Sequence, residues 1–231
     1  MLKHFKSSER GEGLYSWLHA KYRFSFSDWY NPQEMGFSVL RVLNEDRIAA
    51  QKGFPKHSHQ NAEIFTWVLS GQLNHKDSEG HERTLYPGVA QYMSAGSGIS
   101  HSEYNGADEE LHLVQIWLDS KHYNLAPHYQ EKDFREALKK DGLHLLLSPT
   151  GAEDSLTLRQ DAYLSVGSYQ KESELKLSIQ QDKNYFIFIT AGQITVNKKI
   201  LKQGDSLSIT KEKVLQILIE KQSQFLYFEL P

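Results

Sequence analysis

Residues 66–96 read TWVLSGQLNHKDSEGHERTLYPGVAQYMSAG, and residues 187–209 read IFITAGQITVNKKILKQGDSLSI. Each begins with an apolar run of branched and aromatic residues, reaches a Gly-Gln pair (71 to 72 and 192 to 193) and passes through a hairpin. Each then turns at Pro-Gly or Gln-Gly into another apolar run. This recurrence marks two copies of one β motif. It decides the fold, because short strands separated by regularly spaced turn signals build sandwiches or barrels.

The same texture extends in both directions. FSVLRVL, EIFTWVLSG, VAQYMSAG, LHLVQIWL, YFIFITAG and FLYFEL read as strands, and KDSEGHE around Gly80, YPG before Val89 and NKK around Asn197 read as turns. One segment departs from the pattern. HYQEKDFREALKKDG, residues 128 to 142, carries Phe134, Ala137 and Leu138 at helical spacing and closes on Gly142, which predicts a short helix or turn-rich crossover. An all-β chain of two barrel domains, 1–130 and 131–231, follows, and 231 residues are ample for two cores.

Composition narrows the function. With 26 Lys+Arg against 29 Asp+Glu the net charge is −3, so no basic excess is present to neutralise phosphates, and direct nucleic-acid binding is not expected. Cysteine is absent, which excludes disulfides, thiolate metal sites and a cysteine nucleophile, and suits a reducing compartment. No uncharged apolar run approaches the roughly 20 residues of a membrane span. The expectation is a monomer in the cytoplasm. All 11 histidines lie at or before His144, so a histidine-based site belongs to the first half.

KHSHQNAE, residues 56 to 63, sets His57 and His59 one residue apart. On a strand they share a face, while Lys56, Ser58 and Gln60 point away. Among 11 histidines one His-x-His pair arises readily by chance. A second pair, His101 and Glu103 in GSGISHSEYN, repeats the spacing after a glycine-rich turn, so that neighbouring strands can aim three imidazoles and a carboxylate into one interior. An N₃O set suits Fe(II), Mn, Ni, Co, Cu or Zn and leaves coordination positions open. Glu63, the nearer carboxylate, lies about 13 Å from His59 along an extended strand. Only a bend after Asn61 would bring it close.

The stretches GFPKHSHQNAE (53 to 63), WLHAKYRFSFSDWYNPQEMGFSVLRVLNEDRI (17 to 48), EIFTWVLSGQLNHKDSEG (63 to 80) and QYMSAGSGISHSEYN (91 to 105) resemble the pirin branch of the cupin superfamily. Pirin-like quercetin 2,3-dioxygenases are the nearest likeness. The resemblance implies a bicupin whose first barrel carries one divalent metal, Fe(II) first, on His57, His59, His101 and Glu103. It also implies that the first residues add strands to the second barrel. Glu63 then stands behind the site, whereas in ordinary cupins its counterpart is a ligand. The implied activity is dioxygenase cleavage of a flavonol such as quercetin with O2 and release of CO, with Glu103 as the catalytic base. The alternative is a non-enzymatic, iron-bearing redox sensor that partners a transcription regulator. Two positions depart from the family: Ser58, commonly Pro, and Tyr22, often His.

Other histidines are read more plainly. His75 and His81, flanking the KDSEG hairpin, are expected to be exposed, and His112 to be a packed or surface residue. The aromatic run YRFSFSDWY, 22 to 30, is expected to pack between the barrels, with the lining of a flavonoid pocket as the alternative.

Overall fold

The structure, a computed structural model, describes all 231 residues. The chain opens with β1 (Leu2–Phe5). A first compact unit, Gly11–Arg135, follows with β2 (Gly11–Leu14), β3 (Leu18–Tyr22), β4 (Leu40–Ile48), β5 (Lys52–His59), β6 (Ala62–Ser70), β7 (Leu73–Asp77), β8 (Glu82–Leu85), β9 (Val89–Ser94), β10 (Ile99–Asn105), β11 (Leu111–Asp119) and β12 (His128–Asp133). These form a seven-stranded sheet, β12-β9-β6-β11-β4-β3-β2, and a four-stranded sheet, β5-β10-β7-β8. Val68, Leu111 and Leu113 of the larger sheet share one buried cluster with Leu73 and Leu85 of the smaller. The apolar core therefore lies between the two sheets, as in any cupin-type barrel.

The second unit comprises Met1–Arg10 and Glu136–Pro231. Its strands are β13 (Gly142–Ser148), β14 (Leu156–Thr157), β15 (Tyr163–Tyr169), β16 (Ser173–Ser178), β17 (Asn184–Ala191), β18 (Gln193–Val196), β19 (Lys199–Lys202), β20 (Ser206–Thr210), β21 (Val214–Ile219) and β22 (Ser223–Leu230). The sheets run β1-β20-β17-β22-β15-β13-β14 and β16-β21-β18-β19. Raising each strand number by eleven turns β5-β10-β7-β8 into β16-β21-β18-β19, and β9-β6-β11-β4 into β20-β17-β22-β15. The two repeats in sequence are thus two copies of one topology. β1 takes beside β20 the place that β12 takes beside β9. Asp205 fastens β1 there, accepting the Ser7 backbone N–H at 2.7 Å and lying 3.0 Å from His4 Nε2.

The shared Gly-Gln pair has a steric cause. Gly71 and Gly192 adopt φ of +80° and +72°. A Cβ at either would meet the strand start opposite, 2.8 Å from the Glu110 carbonyl oxygen or 2.4 Å from Ser223 Oγ. Only glycine satisfies both demands. At the NKK turn, Asn197 and Lys198 both have positive φ, 42° and 71°, as a two-residue hairpin of the primed type requires.

The structure sharpens two expectations. The crossover is shorter than the segment that suggested it: His128–Asp133 pairs with β9 from His128↔Ser94 to Asp133↔Val89, and its helical part is the single 3-10 turn Ala137–Lys139. Pairing with a distant strand overrides a local helical spacing. A division at 130/131 would cut β12, and the compact units separate after Arg135 instead. Of the aromatic run, Tyr22, Phe26 and Trp29 pack into the first unit's own core. No helix is long and apolar enough to cross a membrane.

Candidate metal centre

The site is built on β5 and β10, which pair antiparallel with His57 opposite His101 and His59 opposite Ile99. Past His101 the register slips, so that Glu103 faces Phe54. On its other edge β10 stays regular against β7, with His101 opposite Asp77 and Glu103 opposite His75. The extra residue is therefore in β5, near Pro55, which has no N–H to give a ladder and is tolerated at a bulge on an edge strand. Gly53 allows the approach just beyond it, because a Cβ there would lie 2.1 Å from the Glu103 carbonyl oxygen.

These registers bring three imidazoles together. Ring centroids of His57, His59 and His101 are 4.5 to 4.8 Å apart, and one nitrogen from each lies within 4.8 Å of the others. His57 Nδ1 is 2.8 Å from the Pro55 carbonyl oxygen and donates to it, leaving Nε2 with a free lone pair. The Nε2 atoms of His59 and His101 are 2.9 Å apart. Burial, then the charge of neighbouring imidazoles, pushes both His59 and His101 down to about 3, so they are neutral at physiological pH. Neutral imidazoles turned toward one another are what a divalent cation needs, and the donor chemistry fits such an ion.

Glu103 is fully buried and holds its carboxylate within 4.8 Å of the ligand atoms of His101 and His75. Burial raises its pKa, against the opposing charges of His75 and His57 and the hydrogen bond from Gln115. Gln115 donates from Nε2 to both carboxylate oxygens at 3.2 and 3.1 Å, and its own Oε1 accepts the Thr66 hydroxyl at 2.7 Å. An ionised carboxylate only accepts, so the amide NH₂ faces Glu103, and the Thr66 hydroxyl donates to the other end. A cavity of about 300 Å³ has Phe26, Phe54, Pro55 and Trp117 as apolar walls, and His57, His59, Glu103 and Gln115 complete this part of its lining. Trp117 stands edge-on to both Phe26 and His59, at 5.5 and 4.8 Å. The volume is at the lower end of the roughly 300–1,000 Å³ of small-molecule sites.

Glu63 is elsewhere. The chain turns at Asn61, with φ of +50°, and enters β6 of the other sheet. There the buried Glu63 carboxylate accepts the hydroxyls of Tyr92, Ser94 and Ser120. Ser58, on the outer face of β5, bonds Ser100 across the ladder at 2.8 Å. His112 is buried and lies 2.8 Å from Glu45, a packed histidine as expected. His75 contradicts its reading as a loop residue: it is 1% exposed, in the middle of β7, with Nδ1 3.5 Å from His101 Nδ1. Its signal was the alternation of Leu73, His75 and Asp77, all buried. Gln115 and Trp117, equally unforeseen, share a face of β11 by the same two-residue period.

Comparison with known proteins follows from this geometry. Residues 4–118 match the family profile described as pirin, and residues 145–230 match that of the quercetinase C-terminal cupin domain. The chain belongs to the pirin family. Among other pirins and relatives, a Pasteurella multocida protein is 40% identical over the full length of both chains. The quercetin 2,3-dioxygenase of Escherichia coli K12 is 38% identical, over 98% of this chain and 97% of the relative. The crystal structure of the E. coli bacterial pirin YhhW in complex with nickel(II) superposes with a TM-score of 0.95 at 37% identity, covering 100% of this chain and 99% of that one.

Within this pirin the second barrel offers an internal comparison. With Gly71 aligned to Gly192, Val196 takes the place of His75, and Ile217, opposite Val196, that of Glu103. Leu215 then replaces His101, and Leu177, opposite Leu215, replaces His57. Two residues further on, just past the end of β16, Ile179 replaces His59. Every position of the histidine cluster is aliphatic in the second copy, and these residues pack into its core.

Proposed function

We propose that this pirin is a metal-dependent dioxygenase that cleaves a flavonol such as quercetin with O2 and releases CO. The observation that carries the reading is the cavity of about 300 Å³ that combines flat aromatic walls with His57, His59 and Glu103 on one lining. The likeness to a protein named quercetin 2,3-dioxygenase supports it. His57, His59, His101 and Glu103 would hold the ion, with Fe(II) expected and nickel(II) the ion in the E. coli relative's crystal. A bound divalent ion supplies Lewis acidity, which makes a coordinated hydroxyl more acidic.

The chain's own residues supply the rest. Phe26, Phe54 and Trp117 orient a planar ring system and keep water away from it. Glu103, whose carboxylate lies on the cavity lining, takes the proton of the flavonol 3-hydroxyl. Gln115 holds that carboxylate toward the cavity through both oxygens. The test is oxygen uptake with quercetin by protein loaded in turn with Fe(II), Ni(II) and Co(II). Uptake equal to flavonol loss, with CO released, is expected. Absence of flavonol loss in all three forms refutes the enzyme and favours the redox-sensor alternative.

A further inference from the structure

Behind His101 lies a buried chain of polar groups that the reaction itself does not use. Asp77 Oδ1 accepts the backbone N–H groups of Glu79 and His81 at 2.9 and 3.0 Å. Its Oδ2 lies 2.9 Å from His81 Nδ1 and 3.3 Å from His75 Nε2. An ionised carboxylate only accepts hydrogen bonds, so His75 carries its proton on Nε2 and presents a lone pair at Nδ1. His101 Nδ1 lies 3.5 Å from that lone pair. His101 therefore carries its proton on Nδ1 and keeps Nε2 bare, and Nε2 is the atom turned toward His59. His75 and His101 are each 1% exposed, so no bulk water competes for these bonds. Tyr129, reaching over from β12, stacks on His81 at 4.4 Å and lies 5.4 Å from His75, closing the chain from outside.

From this arrangement we infer that Asp77 and His75 are positioning residues that fix the tautomer and ring plane of His101, so that its Nε2 faces the ion ready to coordinate. The inference rests on the reading of His101 as a metal ligand. A hydrogen-bonded partner behind a ligating histidine sets which nitrogen is free and raises its basicity, and loss of such a partner costs roughly 10–100-fold in metal affinity. The role passes through two residues here, a carboxylate and an imidazole.

Asp77→Asn tests it without changing shape. The Asn carbonyl oxygen can keep the two backbone bonds, which turns its NH₂ toward His75 Nε2. That moves the His75 proton to Nδ1 and the His101 proton to Nε2. His75→Phe, which keeps a flat ring and removes both nitrogens, is the second variant. Two readouts on the full chain decide. In chelator-treated protein, ¹⁵N NMR of the imidazoles should give the Nδ1–H form of His101 in the wild type and the Nε2–H form in Asp77→Asn. Calorimetric titration with Ni(II) should show affinity lower by roughly 10–100-fold in both variants. An Nε2–H His101 in the wild type, or a lower melting temperature with unchanged Ni(II) affinity, overturns the relay. Failure of the wild type to bind Ni(II) overturns the metal site beneath it, and the tautomer measurement, made without metal, tells the two failures apart.

Discussion

Gly53→Ala joins the fold to the site in one atom. The added Cβ would lie 2.1 Å from the Glu103 carbonyl oxygen and 2.6 Å from Tyr104 Cα. A carbon–oxygen contact relaxes only near about 3.3 Å, so the strands must part by about 1 Å. β5 is the outer strand of its sheet, and β10 is held on its other side by β7. The outer strand therefore yields. Overpacking of this kind costs about 1–3 kcal/mol, which for a protein of this size lowers the melting temperature by about 2–4 °C per kcal/mol. The larger effect falls on the site, because β5 carries His57 and His59 away from His101 as it moves. A misplacement of about 1 Å is worth on the order of 10²-fold in turnover. Scanning calorimetry of chelated protein reads the first effect, and Ni(II) titration together with quercetin turnover reads the second. Gly142→Ala is the control: its Cβ would meet only the His144 ring at 3.6 Å, and its stability should stay within about 0.5 kcal/mol of wild type. A Gly53→Ala protein with wild-type melting and wild-type Ni(II) affinity would refute the reasoning.

Three further outcomes are expected. Gln115→Leu removes the donor that favours the charged form of Glu103, so its pKa rises further and protons compete better with metal. The Ni(II) affinity of that variant should then fall more steeply toward low pH than the wild type's, and parallel curves would count against the role. In metal-free protein His59 and His101 titrate near 3, against about 6.5 unfolded. The unfolded chain therefore takes up protons first as pH falls: stability is full above about pH 6.5 and erodes down to about 3, by up to about 1.4 kcal/mol per pH unit for each group. Urea titration of chelated protein at pH 7.5 and 5.5 checks this, and equal stabilities would contradict it. Trp117→Ala removes the wall that spans Phe26 and His59. It should raise the flavonol KM by about tenfold or more while leaving Ni(II) affinity unchanged.

Much of the fold was legible because its signals are local. The Gly-Gln pairs, the primed turn at Asn197 and the alternation within each strand all follow from φ angles and side-chain parity. What escaped depends on distant partners. Phe134, Ala137 and Leu138 have helical spacing, yet the strand just before them is fixed by β9, more than thirty residues earlier in the chain. His75 looked like a hairpin residue because polar side chains near a turn are usually solvated. Its burial reflects the polar interior that His101 and Glu103 create next to it. Glu63 and Glu103 could be separated by spacing alone only in part. The positive φ of Asn61, which sends Glu63 to the other sheet, has no clear mark in the sequence beyond asparagine's tolerance of that conformation.

The aliphatic replacement of the whole cluster in the second barrel also bears on how the chain holds together. Leu177, Ile179, Leu215, Ile217 and Val196 cohere without help, since they pack in a cluster of aliphatic and aromatic side chains. In the first barrel the same lattice points carry imidazoles and a carboxylate, and the facing Nε2 lone pairs of His59 and His101, 2.9 Å apart, are what a shared positive centre would reconcile. One architecture thus exists in this chain in a frustrated and an unfrustrated edition. An ion bound in the frustrated one would supply its final increment of order, and its β5–β10 ladder is where local opening would begin when such an ion is withdrawn.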